Sequence, residues 1–444
     1  MKFLVKGGKP LNGEIKLAGS KNAATKMMIA SLLTDEGVTL VNFPKIGDTE
    51  ITAELLRSIG SEVTTKYGTA TLKTPAIKNS RVAQLSRKNR IPILALGPLL
   101  ARTGEAEVPI LGGDKLGPRP VDLHIKALEA LGATIEVTPT SYRAMAKNGL
   151  YGARVEFSFP SVGATENTIL AAVLAKGNTV ILNAALEPEI MGLVKMLQKM
   201  GAIIELGANR DIHIEGVARL RGVEHRVLPD RIEAVSFACL AIATGGKVLV
   251  RDAAQDHLIT FLNTVRRMGA EYEVVKEGIV FHRPSFANAS AGKANGLKAL
   301  NITTGVHPGF MTDWQQPLAV LLTQAEGDSV IHETIYEDRF GYVKDLNAIG
   351  ANIEVSQKCP EGEACRFNGK GFNHVATIHG PTKLQRGGRF EVRDLRSGMV
   401  DVIAALVADG ESEIIGIEEI DRGYEKIDER LSRLGAEIKR TSSS

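Results

Sequence analysis

Apolar and polar positions along this chain run through a cycle that is completed six times. Each cycle opens on a polar residue suited to cap a helix and continues through an apolar helix to a glycine and a strand. A second helix follows, and it too ends on glycine. The second helices close through Leu55-Leu56-Arg57-Ser58-Ile59-Gly60, Leu128-Glu129-Ala130-Leu131-Gly132 and Leu197-Gln198-Lys199-Met200-Gly201. The pattern returns as Val265-Arg266-Arg267-Met268-Gly269, Leu346-Asn347-Ala348-Ile349-Gly350 and Leu431-Ser432-Arg433-Leu434-Gly435. The first helices exit through Gly37, Gly104, Gly177, Gly246, Gly327 and Gly410. A glycine in these places supplies the left-handed turn that ends a helix, and alternating residues such as Thr134-Ile135-Glu136-Val137 then read as a strand. A period of about 70–85 residues means that one supersecondary unit is reused.

Each unit reads α-β-α-β, with short extra strands between units, and the fold class is α/β. The first three units are spaced about 70 residues apart and the last three nearer 80, which predicts two domains of three units each. The predicted division is 21–229 for one domain and 1–20 plus 230–444 for the other. The periodicity does not decide which domain the strand-like segment Met1 to Lys16 joins.

The six first helices begin at Ser20-Lys21-Asn22, Asn89-Arg90, Ser161-Val162-Gly163, Asp230-Arg231, Thr312-Asp313 and Asp394-Leu395-Arg396. Each start holds a Ser, Thr, Asn or Asp suited to capping, and Thr312 with Gln315 forms a capping-box pattern. Helix N-termini carry unpaired N–H groups and a partial positive charge, so they attract anions. Five of the six also hold a Lys, an Arg or a catalytic-type Asp close to the cap. If the units close around a cleft, such ends can converge on one phosphate-rich ligand; any repeat protein, however, caps its helices in this way.

Composition narrows the class. The chain has 444 residues, 44% of them apolar and 24% charged, which suits a globular protein with a large core. A net charge of +3 is too small to argue for nucleic acid, and no basic stripe is interleaved with stacking rings. Met1-Lys2-Phe3-Leu4-Val5 is followed at once by Lys6-Gly7-Gly8, which leaves no apolar core for an export signal. Three cysteines are too few for a disulfide framework. Cys239 sits in an apolar helix and reads as a buried thiol. Cys359 and Cys365 flank a Pro-Glu-Gly-Glu stretch and could pair or bind a metal, but no second ligand pair accompanies them in sequence. The preferred reading is free thiols in a reducing cytoplasm.

Eight collinear strings carry a resemblance. They are Gly19-Ser20-Lys21-Asn22, Ala95-Leu96-Gly97-Pro98-Leu99, Gly117-Pro118-Arg119-Pro120-Val121-Asp122-Leu123-His124 and Ser161-Val162-Gly163-Ala164-Thr165-Glu166-Asn167. After them come Glu187-Pro188-Glu189-Ile190, Leu228-Pro229-Asp230-Arg231-Ile232-Glu233, His307-Pro308-Gly309-Phe310-Met311-Thr312-Asp313 and Asp421-Arg422-Gly423-Tyr424. Together they resemble the UDP-N-acetylglucosamine 1-carboxyvinyltransferase family from about residue 3 to residue 440.

The resemblance implies an inside-out α/β barrel, the enolpyruvyl transferase fold, with helices inside, sheets outside and substrates bound between two domains. It implies transfer of enolpyruvate from phosphoenolpyruvate to the 3-hydroxyl of UDP-N-acetylglucosamine by addition and elimination, releasing phosphate for cell-wall peptidoglycan synthesis. These two small molecules are then the partners, with no metal and no organic cofactor. Lys21, Arg119 and Arg422, with Asn22 beside them, would hold the phosphate of phosphoenolpyruvate. Arg339 and Arg396 would hold its carboxylate. Asp313 would be the general base or would orient the sugar hydroxyl. The nucleotide sugar would contact Arg90, Arg119, Pro120, Val121, Asp122, Leu123, Phe159, Pro160, Ser161, Val162, Gly163, Asp313 and Ile335. Phe159-Pro160 stands where some members of the family carry a Lys.

One departure bears on mechanism. Many members have a cysteine in the loop that precedes the Arg-Pro-Val-Asp motif, near 111–119 here, and it serves as general acid and as the site alkylated by fosfomycin. This chain has Asp114 at that place. A carboxyl's ordinary pKa is about 3.9, against about 8.5 for a thiol. Asp114 therefore needs desolvation or an anionic neighbour to carry a proton near neutrality. Glycines 112, 113 and 117 would let the loop close. Gly113-Asp114 before Arg119-Pro120 also resembles the related 3-phosphoshikimate 1-carboxyvinyltransferases, and a non-catalytic nucleotide-sugar-binding paralogue is a third reading.

Overall fold

The computed structural model describes residues 1–86, 89–110, 112, 120–283, 296–360, 365–385 and 388–442. The second-helix glycines behave as their sequence demands: Gly60, Gly132, Gly201, Gly269, Gly350 and Gly435 all have φ between 84° and 118°. Among the first-helix exits, Gly104, Gly177, Gly327 and Gly410 are also left-handed, with φ between 75° and 105°, while Gly37 and Gly246 are not. Gly37 instead opens the strand Gly37–Val41, and in the fourth repeat the left-handed residue is Gly245.

The described strands form six sheets, one per repeat. In the first, Gly37–Val41 runs parallel to Val223–Arg226 on one side and antiparallel to Thr69–Lys73 on the other, with Glu62–Lys66 at the edge. The other sheets repeat that order, so the unit is a parallel pair joined to an antiparallel pair. The sheet Glu105–Pro109, Ser141–Met145, Thr134–Val137 has three strands, and a parallel bridge from Arg81 to Glu107 occupies its fourth place.

The chain divides into two compact units, one comprising Met1–Ala18 and Pro229–Ser444, the other Gly19–Gly113 and Pro118–Leu228. They are called here the 229–444 unit and the 19–228 unit. The segment that periodicity left open joins the first of these. Asn12–Lys16 pairs parallel with Lys247–Arg251. Lys2–Lys6 lies between Glu411–Ile415 and Glu437–Thr441, where other repeats place their own last strand.

Within the 229–444 unit the helices Arg231–Ala243, Gln315–Leu322 and Leu395–Val407 pack on one another and are buried almost throughout. Sequences such as Arg-Ile-Glu-Ala-Val-Ser-Phe-Ala-Cys-Leu-Ala-Ile-Ala have no polar side to turn to water, so such a helix belongs inside. Their polar first turns must then be satisfied internally. Asp230 accepts from the N–H groups of Ile232 and Glu233, and Asp394 from those of Arg396 and Ser397. Glu233 takes a bidentate pair from Arg430 at 2.7 and 2.8 Å and the N–H of Ala18 at 3.0 Å. Arg430 also donates to the carbonyl of Lys16. Losing one partner of such a buried pair costs about 3–5 kcal/mol, enough to fix where the N-terminal segment enters.

In the 19–228 unit Ser161 caps the helix Val162–Ala172 by accepting from Ala164 N–H. Ser20 does not cap with its side chain: its buried hydroxyl has no hydrogen-bond partner among the described residues. Glu166, fully buried on the Val162–Ala172 helix, lies 3.8 Å from Lys26 on the helix Lys21–Ala30. Burial pushes the Glu166 carboxyl up from 4.5 to about 7, with Glu189 and Glu187 adding to the rise and Lys26 opposing it. Between about pH 4.5 and 7 the folded protein therefore keeps a proton that the unfolded chain has released, so this group's contribution falls as pH rises and levels off above 7. Glu166→Gln should gain thermal stability relative to the parent as pH goes from about 5 to 7, then hold that gain. A stability difference that does not vary with pH would contradict this reading.

Candidate active site

In the 229–444 unit, a single-turn helix, Thr312–Trp314, leads into Gln315–Leu322. Thr312 does not form the capping box its sequence suggests. Its hydroxyl donates to Glu333 Oε2 at 2.8 Å, and Gln315 Nε2 donates to the same oxygen at 3.2 Å. The other oxygen of Glu333 accepts the N–H groups of Ile335 and Tyr336 at 2.7 and 3.0 Å. Gln315 accepts in turn from the Tyr342 hydroxyl at 2.8 Å. A carboxylate held by four donors is a rigid brace. It ties the turn carrying Asp313 to the segment carrying Ile335.

Asp313 is thereby presented to two guanidinium groups. Arg339 Nη2 donates to Asp313 Oδ1, and Arg396 Nε to Oδ2 at 3.2 Å. Arg396 stands in the first turn of Leu395–Val407, fixed by the Asp394 cap. The Arg339 side chain is 0% exposed, and its guanidinium lies 5.5 Å from the Tyr336 ring centre. Burial works against its charge, but Asp313, Asp394 and Glu333 outweigh that, and its pKa lies above the ordinary arginine value. Arg339, Tyr342, Arg393, Asp394 and Ser397 line a cavity of about 480 Å³. Arg422 follows the short helix Glu418–Asp421 and pairs with Glu419 at 2.6 Å.

The 19–228 unit holds the other described candidates. Lys21 opens its helix with Nζ 2.7 Å from Asp48, a buried residue in the first turn of Gly47–Ile59. Asn22, next along the helix, is half-buried. Pro120 and Asp122 are exposed, and Arg90, Val121 and Leu123 are half-buried, as are Phe159 to Gly163. The charge of Arg90 acts on His124 in the helix Asp122–Ala130. Burial first, and Arg90 second, push the His124 imidazole down to about 3, so it is neutral. Asn167 Nδ2 donates to His124 Nδ1 at 3.3 Å, which leaves the ring proton on Nε2. A Cβ at Gly163 would come within 3.0 Å of that ring, so Gly163 lets His124 pack against the start of the Val162–Ala172 helix. Arg90, His124, Asn167 and the Ser161–Gly163 turn thus belong to one neighbourhood.

Arg119 and Asp114 lie outside the described residues. Sequence reasoning missed Glu333, Asp48 and the packing role of His124. Glu333 follows the last residue of a central strand, a place where an acid with no exposed partner would have been a signal.

The profile of the EPSP synthase (3-phosphoshikimate 1-carboxyvinyltransferase) family matches residues 5–431. A UDP-N-acetylglucosamine 1-carboxyvinyltransferase of Protochlamydia amoebophila is 47% identical, over 98% of this chain and 93% of its own length. One of Chlamydia abortus is 46% identical, over 97% of this chain and 96% of its own length. Among solved structures, the enolpyruvyl transferase NikO of Streptomyces tendae aligns over 100% of this chain and 99% of its own, with a TM-score of 0.84 at 22% identity. An EPSP synthase of Acinetobacter baumannii aligns over 99% of this chain and 100% of its own, with a TM-score of 0.70 at 18% identity. These two share the fold, while the curated relatives are similar in sequence from end to end. The chain belongs to the EPSP synthase family and, within it, to the UDP-N-acetylglucosamine 1-carboxyvinyltransferases.

Proposed function

We infer that this protein joins enolpyruvate from phosphoenolpyruvate to the 3-hydroxyl of UDP-N-acetylglucosamine and releases phosphate. The observation that carries the reading is the Asp313 carboxylate held by Arg339 and Arg396, in a chain 47% identical to a relative named for this reaction. In the addition step the sugar oxygen bonds to C2 of the enol, its proton leaves, and another proton reaches C3. In the elimination step C3 gives up a proton and phosphate departs from C2, leaving the enolpyruvyl ether. Neither step changes oxidation state.

The residues divide by what each step needs. Arg339 and Arg396 offer planar forks that match a carboxylate, so they hold that of phosphoenolpyruvate. Its phosphate falls to Lys21, Asn22, Arg119 and Arg422. Asp313 takes or orients the sugar hydroxyl proton, a task for an ionised carboxylate beside fixed cations. Because Asp313 occupies both guanidinium groups in this structure, the substrate carboxylate enters by competing with it. Asp114 is the acid that protonates C3. Arg90, Pro120 to Leu123, Phe159 to Gly163 and Ile335 contact the nucleotide sugar. The reading places the protein in the cytoplasm, in keeping with its free thiols, and no helix among the described residues is long and apolar enough to cross a membrane.

The test is phosphate release from phosphoenolpyruvate with each of two acceptors. Release with UDP-N-acetylglucosamine and none with shikimate 3-phosphate is expected. Release with shikimate 3-phosphate alone would transfer the chain to the sister activity, and tight nucleotide-sugar binding without release would make it a binding paralogue.

Fosfomycin tests the loop separately. A carboxylate is a far poorer nucleophile toward an epoxide than a thiolate, so the parent enzyme should resist time-dependent inactivation and Asp114→Cys should acquire it. Covalent modification of the parent at this loop would refute the assignment of Asp114.

A further inference from the structure

Cys359 and Cys365 have no second ligand pair nearby in sequence, but the fold supplies one. His332, Cys359, Cys365 and His374 each offer a ligand atom, and all four atoms lie within 4.8 Å of one another. Sheet pairing brings the histidines together. His332 is the last residue of the strand Gly327–His332 and stands opposite Val375, the residue after His374, in the antiparallel ladder. Glu333 N–H donates to the His374 carbonyl at 2.8 Å and closes that end of the pair. The cysteines come from the connection 357–374 between the strands Ile353–Ser356 and Val375–Gly380.

The chemistry of the set is that of a metal centre. Both histidines are buried, at 1% and 0% exposure, and both cysteines are half-buried. The Cys359 and Cys365 sulfurs are 3.6 Å apart, and Cys359 Sγ lies 3.3 Å from His374 Nε2. Tetrahedral zinc, with bonds of about 2.1 Å to nitrogen and 2.3 Å to sulfur, sets its ligand atoms about 3.3–3.8 Å from one another. The sulfur separation is far beyond the roughly 2.05 Å of a disulfide. His374 Nδ1 lies 2.8 Å from the carbonyl of Phe372, so it donates there and turns the lone pair of Nε2 toward the sulfurs. An imidazole oriented through its other nitrogen in this way is the usual support of a metal-bound histidine.

We propose that His332, Cys359, Cys365 and His374 form a structural zinc site that fastens the 357–374 connection to the end of the Gly327–His332 strand. Binding displaces one proton from each thiol to solvent, and the dication with two thiolates and two neutral imidazoles gives a centre of zero net charge. Four protein ligands fill the tetrahedron and leave no place for substrate, so the metal takes no part in the transfer reaction. Its consequence is mechanical. Arg366, next to Cys365, donates to the Ile335 carbonyl, and His332 adjoins Glu333, the brace beneath Asp313. The motif escapes a sequence search because His332 lies a whole helix and strand before the cysteines.

The full chain, purified under reducing conditions without chelator, should contain one zinc per chain by elemental analysis. After chelation, added Co²⁺ should give the strong visible bands of tetrahedral cobalt together with thiolate charge transfer. Cys359→Ser and Cys365→Ser should each abolish the thiolate pattern, and Cys239→Ser should preserve it. Chelation should also lower the thermal midpoint by several degrees. If the serine variants fail to fold, the cobalt titration of the parent chain still decides. Absence of both zinc and cobalt bands in the parent, or a Cys359–Cys365 disulfide in freshly isolated protein, would overturn the proposal.

Discussion

The charged cluster of the 229–444 unit depends on one interaction, a carboxylate shared between two guanidinium groups, one of them fully buried. An arginine out of contact with water costs several kcal/mol unless it is paired and its donors are used. Asp313 supplies the pairing through Nη2, Asp394 and Glu333 supply further field, and Arg339 Nε and Nη1 have no hydrogen-bond partner among the described residues. Each of these acids is itself held. Asp394 caps the helix that carries Arg396, and Glu333 grips both the turn before Asp313 and the segment after the neighbouring strand. Charges fixed by other fixed charges reorganise little when a reaction begins, and enzymes of this chemistry draw on that property.

The burial of whole helices explains why the charges gather where they do. Arg231–Ala243 and Leu395–Val407 are buried all round and largely apolar. Beyond their first turns the buried polar residues are Ser236 and Asp401, so most of their polar residues stand at their starts. Asp230, Asp394 and Ser161 accept first-turn N–H groups with their side chains. At the helix Gln315–Leu322 no side chain among the described residues caps the backbone, and Glu333 holds the Thr312 and Gln315 side chains instead. Lys21, Asp313 and Arg396 stand in these same first turns. The fold therefore concentrates donors, caps and cations at helix starts before any substrate is considered.

The repeat was legible because glycine has no substitute where a helix must end in a left-handed turn, and all six second-helix glycines do so. The apolar first helices were legible for a similar reason, since their composition leaves them no exposed side. Strand partners were not legible. Short alternating strands such as Lys2–Lys6 and Asn12–Lys16 look alike in sequence, and their places are chosen by distant residues such as Arg430 and Glu233. Local capping patterns also yielded to tertiary partners. Thr312 prefers the buried Glu333 to its own helix, and Ser20 leaves its hydroxyl unused. Asp48 beside Lys21, and His332 beside Cys359 and Cys365, are contacts between different secondary-structure elements, so local spacing does not expose them.

The account makes Asp313 both a competitor for the arginines that receive the substrate carboxylate and a participant in the reaction. Equilibrium binding of phosphoenolpyruvate to Asp313→Asn, set beside its turnover with UDP-N-acetylglucosamine, tests that dual role most directly. The account predicts binding at least as tight as in the parent, because an anionic competitor is gone, with turnover reduced by about 10²–10⁴-fold. Binding weakened in step with turnover would contradict it and reduce Asp313 to a structural support for Arg339 and Arg396.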